Sequence, residues 1–172
     1  MSSTPLPKQV DVRKLIAADS ELVAREPLRN FARLADMLVT SDGDVELQLH
    51  FHSDGQAKLI AGAVQATLAV LCQRCMQPLQ LPIDSQFVVA AVWSDDEAGR
   101  LPKQYEPYIV GEGPQDIREL IEDELILCVP YASYHEEEDC AGQYRQEPQP
   151  AIDKADEKPN PFKVLEQLKS GK

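Results

Sequence analysis

The chain lacks any run of ~18 apolar residues, the length that a membrane-spanning helix needs, so no membrane segment is expected. Its opening residues, MSSTPLPKQVDV, have no apolar stretch behind a basic start, which argues against a secretory leader. A cytoplasmic protein is therefore expected, and a reducing compartment argues against a disulfide framework. Cysteine is scarce, four in 172 residues, and each is then a candidate for metal binding, catalysis or core packing. No glycine-rich phosphate loop and no internal repeat occur, which removes the nucleotide-binding and solenoid classes.

Positive charge is the other scarcity. Lys and Arg number 17 against 29 Asp and Glu, for a net charge of −12. The imbalance is local. Residues 41–160 hold 8 basic against 23 acidic side chains, whereas residues 1–40 hold 6 against 5 and residues 161–172 hold 3 against 1. An acidic body repels nucleic-acid phosphates over most of its surface and suits a basic protein partner. Plain solubility accounts for the same charge, and composition alone leaves both readings open.

Residues 27–38, PLRNFARLADML, have the pattern of a helix opened by Pro27, with Leu28, Phe31, Leu34, Ala35 and Leu38 in one stripe. Arg25, Arg29 and Arg33 recur every four residues on another face. Such a row can grip a phosphate backbone or simply face solvent. VELQLHFH (45–52) alternates strictly and predicts a half-buried strand, with His50 and His52 on its polar side. Those two histidines are either metal ligands or exposed residues of a solvated face. Residues 58–71 and 79–93 predict two further strands with Cys72 and Cys75 at the turn between them. PQDIRELIEDELILCV, after Gly113-Pro114, predicts a helix with Cys128 on its buried stripe.

From 141 to 158 the chain is polar, Pro-rich and aperiodic, the composition of a disordered acidic linker. Residues 159–172 then predict a short amphipathic helix, with Asn160 as N-cap and Phe162, Leu165 and Leu168 on one side, suited to docking a partner. The expected fold is α+β: a single domain over 1–140 with an antiparallel sheet, partly closed as a barrel, and flanking helices.

LCQRCMQ (71–77) carries the most specific chemistry. A redox pair needs a helix N-terminus after the first cysteine to lower its pKa, and Pro78 with a second strand follows instead. With His135 and Cys140, the pair completes a Cys3His set in two halves, each bordering a turn, which suits a structural zinc. The alternative is that Cys72 and Cys75 pack as small hydrophobes while the acidic loop 135–140 stays in solvent. Spacing leaves both standing.

CQRC after a long strand, YEP before an acidic EDELIL-x-x-P helix, the downstream H-x4-C and the terminal KPNPF-x-VL-x-x-L together resemble the YceD family of large ribosomal RNA subunit accumulation proteins. The matches run in order from about residue 45 to 169. Cys128 departs from the family pattern, which has an aliphatic residue there, and this supports a core role. The resemblance implies a bacterial cytosolic protein, with plastid relatives, needed for synthesis, processing or stability of large-subunit (23S) ribosomal RNA. It implies no catalytic residues.

The leading expectation is a non-catalytic ribosome-biogenesis factor that holds a basic ribosomal protein or rRNA-processing factor, with RNA touched locally through Arg25, Arg29 and Arg33. A metal-dependent hydrolase or nuclease would need carboxylates such as Asp95, Asp96 and Glu97, or Glu122, Asp123 and Glu124, around a divalent ion. Neither cluster has a histidine or lysine beside it to serve as base. A zinc-knuckle adaptor of other function is the third reading.

Overall fold

The computed structural model describes residues 4–136 and Cys140. Five strands follow one another across a sheet in the order β1 (Ser20–Pro27), β2 (Asp44–Ser53), β3 (Lys58–Leu71), β4 (Pro78–Val92) and β5 (Glu106–Ile109). The alternation read in β2 is realised: Val45, Leu47, Leu49 and Phe51 are buried on one face. In register with them, Phe51 opposes Ile60 and Leu47 opposes Val64, and Ile60 in turn opposes Val89. That face carries the core, covered by Val12 and Ile16 of α1 (Val12–Ala17), by Leu28, Phe31 and Leu34, and by Leu120, Ile121 and Leu125 of a later helix. The opposite face is mostly open, and a small apolar cluster of Ala57, Leu59 and Ala90 with Leu101 and Tyr105 covers one end of it.

Glycine is required at one place in the centre of the sheet. Gly62 faces Phe87 across β3 and β4, and a Cβ there would stand 2.2 Å from the aromatic ring. The missing side chain lets that ring lie flat on the β3 backbone.

Two expectations about the sheet need correction. It is mixed, because β5 runs parallel to β4, from Val89 opposite Glu106 to Val92 opposite Ile109. A connection through the short helix α3 (Asp95–Ala98) turns the chain back to give that direction. It is also open and not a barrel: β1 and β5 form its two edges. The edge strand β1 escaped the sequence reading because SELVAREP is interrupted by charge, and only its inward positions pack.

The helix expected over 27–38 is broken. Pro27 closes β1, Leu28–Asn30 make a 3-10 turn, Phe31 leaves helical geometry at φ −106° and ψ 88°, and α2 spans only Ala32–Ala35. Leu28, Phe31 and Leu34 are all buried, but at intervals of three, which suits tight turns as well as a helix. A buried carboxylate finishes the break: Glu122 accepts the amides of Arg33 and Leu34 at 2.7 and 3.1 Å, capping α2 from outside. The helix α4 spans Arg118–Cys128, four residues later than Pro114, because Gln115 bridges to Val10 and Asp116 accepts the Arg118 amide. At 11 residues α4 is marginal alone, so tertiary packing holds it. Cys128 is half-buried against the core, as its stripe position implied. The linker 141–158 and the helix over 159–172, with Phe162, Leu165 and Leu168, lie outside the described residues.

Candidate metal centre

Cys72 and Cys75 occupy the tight connection between β3 and β4, and both are buried. The Cys72 amide donates to Gln77 O and the Met76 amide to Cys72 O, both at 2.9 Å, which closes the turn. Met76 takes φ +59° at its tip, a conformation that costs a non-glycine residue of order 1 kcal/mol and is held by those bonds. The segment after α4 then lies against this turn. The Gln73 amide donates to Ser133 O at 2.9 Å, and the Arg74 guanidinium sits 5.3 Å over the Tyr134 ring.

The result is convergence of residues 60 to 68 positions apart in sequence. Cys72 Sγ is 3.3 Å from Cys140 Sγ, Cys75 Sγ is 3.4 Å from His135 Nδ1, and Cys140 Sγ is 3.5 Å from His135 Nδ1. All four ligand atoms lie within 4.8 Å of one another. A tetrahedral zinc sets two thiolate sulfurs about 3.8 Å apart and a thiolate and an imidazole nitrogen about 3.5 Å apart. The set is already close to that shape. The three cysteines that belong to it, and Cys128, are free thiols.

Second partners orient the ligands. His135 Nε2 stands 3.1 Å from Pro78 O, an acceptor only, so Nε2 carries the proton and Nδ1 presents its lone pair to the sulfurs. Burial opposes ionisation of Cys72, but the amides of Cys75, Arg74 and His135 outweigh it and hold the thiol at about 5. Cys140 is pushed up to about 11, by burial and then by the two neighbouring sulfurs. A dication placed among them would relieve that repulsion, so the donors fit a metal ion in number, type and distance. The free-loop alternative fails for His135 and Cys140, which are folded onto the turn.

A family model described as large ribosomal RNA subunit accumulation protein YceD matches residues 60–169, which include both halves of this set. The chain belongs to the YceD family. It is 32% identical over 172 residues to the large ribosomal RNA subunit accumulation protein YceD of Haemophilus influenzae (strain ATCC 51907 / DSM 11121 / KW20 / Rd), covering 98% of this chain and 99% of that relative. No solved structure matches.

Other sequence-derived candidates of this YceD-family chain do not converge. Arg25 lies on β1 and binds Asp44 at 3.0 Å and Glu46 at 3.7 Å. Arg33 binds Glu122 at 2.9 Å and Asp123 at 2.7 Å. Arg29 sits on the 3-10 turn, exposed. The three therefore share no helix face. The rings of His50 and His52 stack at 4.5 Å, and His50 Nε2 meets Asp19 at 3.1 Å. They are no part of a metal-sized group among the described residues. Of the carboxylate clusters, Glu122 and Asp123 are occupied by Arg33, and Glu97 accepts the Trp93 amide at 2.7 Å.

Sequence reading missed the supports of the site, Pro78 O, Ser133 O and the three amides, because backbone groups leave no residue signature. It also missed Trp93, the one tryptophan, over which Arg13 lies at 4.4 Å and Lys58 at 4.5 Å. Positions 13, 58 and 93 come together only through the fold.

Proposed function

We propose that this protein is a non-catalytic cytoplasmic factor in the accumulation of large-subunit ribosomal RNA, organised by a structural zinc(II) on Cys72, Cys75, His135 and Cys140. The observation that carries the ribosomal reading is the likeness, over 98% of the chain and 99% of the relative, to a protein named for that role. Zinc is supported by three thiols and one imidazole at nearly tetrahedral separations, a closed set with no ligand position left for substrate. The ion would pin the segment after α4 to the β3–β4 turn.

A non-catalytic role is supported by where the carboxylates are spent, on Arg33 and on backbone amides. Recognition of a basic protein is supported by a groove of about 350 Å3 between β5 and α4. The buried Leu120, with Ile126 and the exposed Leu127, lines it with apolar surface, and Glu106, Asp123 and Glu124 line it with carboxylates, Asp123 being shared with Arg33. Burial and then repulsion from Glu106 and Asp123 raise the pKa of Glu124, so a cation in the groove would be welcome. The basic segment 159–172, with Phe162, Leu165 and Leu168, docks in this account onto a ribosomal partner.

Deleting the gene should lower the ratio of 23S to 16S rRNA, and the wild-type chain should restore it. An unchanged ratio would refute the ribosomal reading. Affinity capture from growing cells should yield basic ribosomal or processing proteins whose retention falls with salt, since exposed charges are screened beyond about 8 Å at physiological ionic strength. Precursor rRNA incubated with the protein and magnesium should stay intact.

A further inference from the structure

The ribosomal reading includes a local contact with RNA, and Arg25 and Arg33 are poor candidates for it because carboxylates already neutralise them. Among the described residues, Arg29 has no ion pair but stands alone on its turn, whereas two other cations without an ion pair come together elsewhere. Arg13 comes from α1 and Lys58 from the start of β3, and both are exposed. They meet at Trp93, just beyond the end of β4, with the guanidinium 4.4 Å and the ammonium 4.5 Å from the ring centroid. A pocket of about 410 Å3 opens beside the ring, lined by Lys58, Arg100, Leu101, Pro102 and Gly55, with Glu97 as its only acidic lining residue.

The pocket lining holds two cations, Lys58 and Arg100, against one carboxylate, and Arg13 adds a third cation at the ring, on a protein of net charge −12. Glu97 is further committed to the Trp93 amide. The ring is half-buried, with Arg13 and Lys58 over it, and it also lines the neighbouring pocket. Fixed aromatic surface beside uncompensated cations is the combination that binds single-stranded nucleic acid: phosphates meet the cations and a base packs on the ring. The net negative charge disfavours such a ligand over much of the remaining surface.

Resting on the ribosomal reading above, we propose that Trp93, Arg13, Lys58 and Arg100 form a contact site for single-stranded RNA. Arg13 and Lys58 hold consecutive phosphates, and the pocket beside Trp93 takes a base.

The sole tryptophan is its own reporter. Titration of the zinc-loaded full chain with a short oligouridylate at low salt should quench Trp93 emission saturably. The log of the binding constant should fall against log salt with a slope of about −1.5 to −2, the value for two to three phosphates of a single strand. Arg13→Ala with Lys58→Ala should weaken binding about tenfold or more, with circular dichroism and melting unchanged. Arg100→Ala, on a different element, should weaken it too, and Lys58→Arg should retain it. Emission indifferent to RNA, or equal affinity in the double variant, overturns the assignment. A polyglutamate peptide that quenches as strongly as RNA would overturn it in favour of an acidic polypeptide ligand. In cells lacking the gene, full rescue of 23S rRNA by the double variant refutes this contact alone, whereas no rRNA defect in the deletion refutes the ribosomal reading beneath it.

Discussion

At one end of the β3–β4 hairpin, Cys72 and Cys75 meet His135 and Cys140; at the other, Lys58 and Trp93 meet Arg13. Both ends gather residues far apart in sequence, but different forces gather them. At the cysteine end the strands are packed through Leu68, Val70 and Ile83, but the segment after α4 is held to the turn by sulfur, imidazole and a few backbone hydrogen bonds. The tryptophan end packs against the core and, through Ala57, Leu59, Ala90, Leu101 and Tyr105, against the small cluster on the other face. On the proposed reading, an ion would complete the fastening at one end. The other is fastened by burial and leaves its charges free for a ligand.

The largest separation of the two ends should come from Cys75→Ser. Loss of the ion should cost about 5 kcal/mol, less than the ~10–16 kcal/mol a zinc-finger peptide draws from its metal, because the hairpin keeps its core. For a domain of this size that lowers Tm by about 10–20 °C. Trp93 emission in the folded variant should be unchanged. A red-shifted emission would mean that the two ends are not independent.

A comparable test, aimed at neither end, is Glu26→Ala. Glu26 is 2% exposed and accepts from Arg118 at 2.8 Å, from Asn30 at 2.8 Å and from the Leu6 amide at 3.3 Å. Its removal leaves the Arg118 cation half-compensated by Asp116 and should cost about 3 kcal/mol with zinc content unchanged. The pH dependence has a definite sign. Burial opposes its ionisation, but Arg118, Asn30 and the Leu6 amide prevail and lower the folded pKa. Its stabilisation is therefore complete above the ordinary value of 4.5 and is lost as pH falls through the depressed one. Denaturant titrations should show the gap between wild type and Glu26→Ala closing in acid.

Gly62→Ala strikes the middle of the hairpin. A methyl group meeting the Phe87 ring should cost about 1–3 kcal/mol and leave metal content and Trp93 emission alone. The smallest effect, and of opposite sign, is expected at Glu124→Gln. Burial and repulsion from Glu106 and Asp123 raise the folded pKa of Glu124, so its charge costs stability at neutral pH and not below the ordinary 4.5. The variant should gain less than about 1 kcal/mol at neutral pH and nothing in acid, measured by chemical denaturation.

How far the sequence could be read follows the same division. β2 was legible because its burial alternates with the residue pattern, and β3 and β4 because long apolar β-branched runs flank a turn. The place of Cys72 and Cys75 at that turn was legible too, although spacing left metal binding and core packing both open. β1 was not, since an edge strand needs apolar residues on one side only and tolerates charge on the other. β5 was not, being four residues long and defined by its partner. The false helix over 27–38 had a true apolar stripe, but a carboxylate 89 positions away decides where the chain turns. His135 and Cys140 were legible as candidate partners of the pair, but a free loop stayed open as the alternative, because the Ser133 and Pro78 carbonyls at the site carry no sequence signal.

The central claim is that a metal fastens the segment after α4 to the β3–β4 turn. Elemental analysis of protein purified without chelators tests it most directly. The account predicts about one zinc per chain, released stoichiometrically by a thiol-modifying reagent and missing from Cys72→Ser and Cys140→Ser variants. Substoichiometric metal in the wild type, or zinc retained by a variant lacking two of the three thiols, would contradict it.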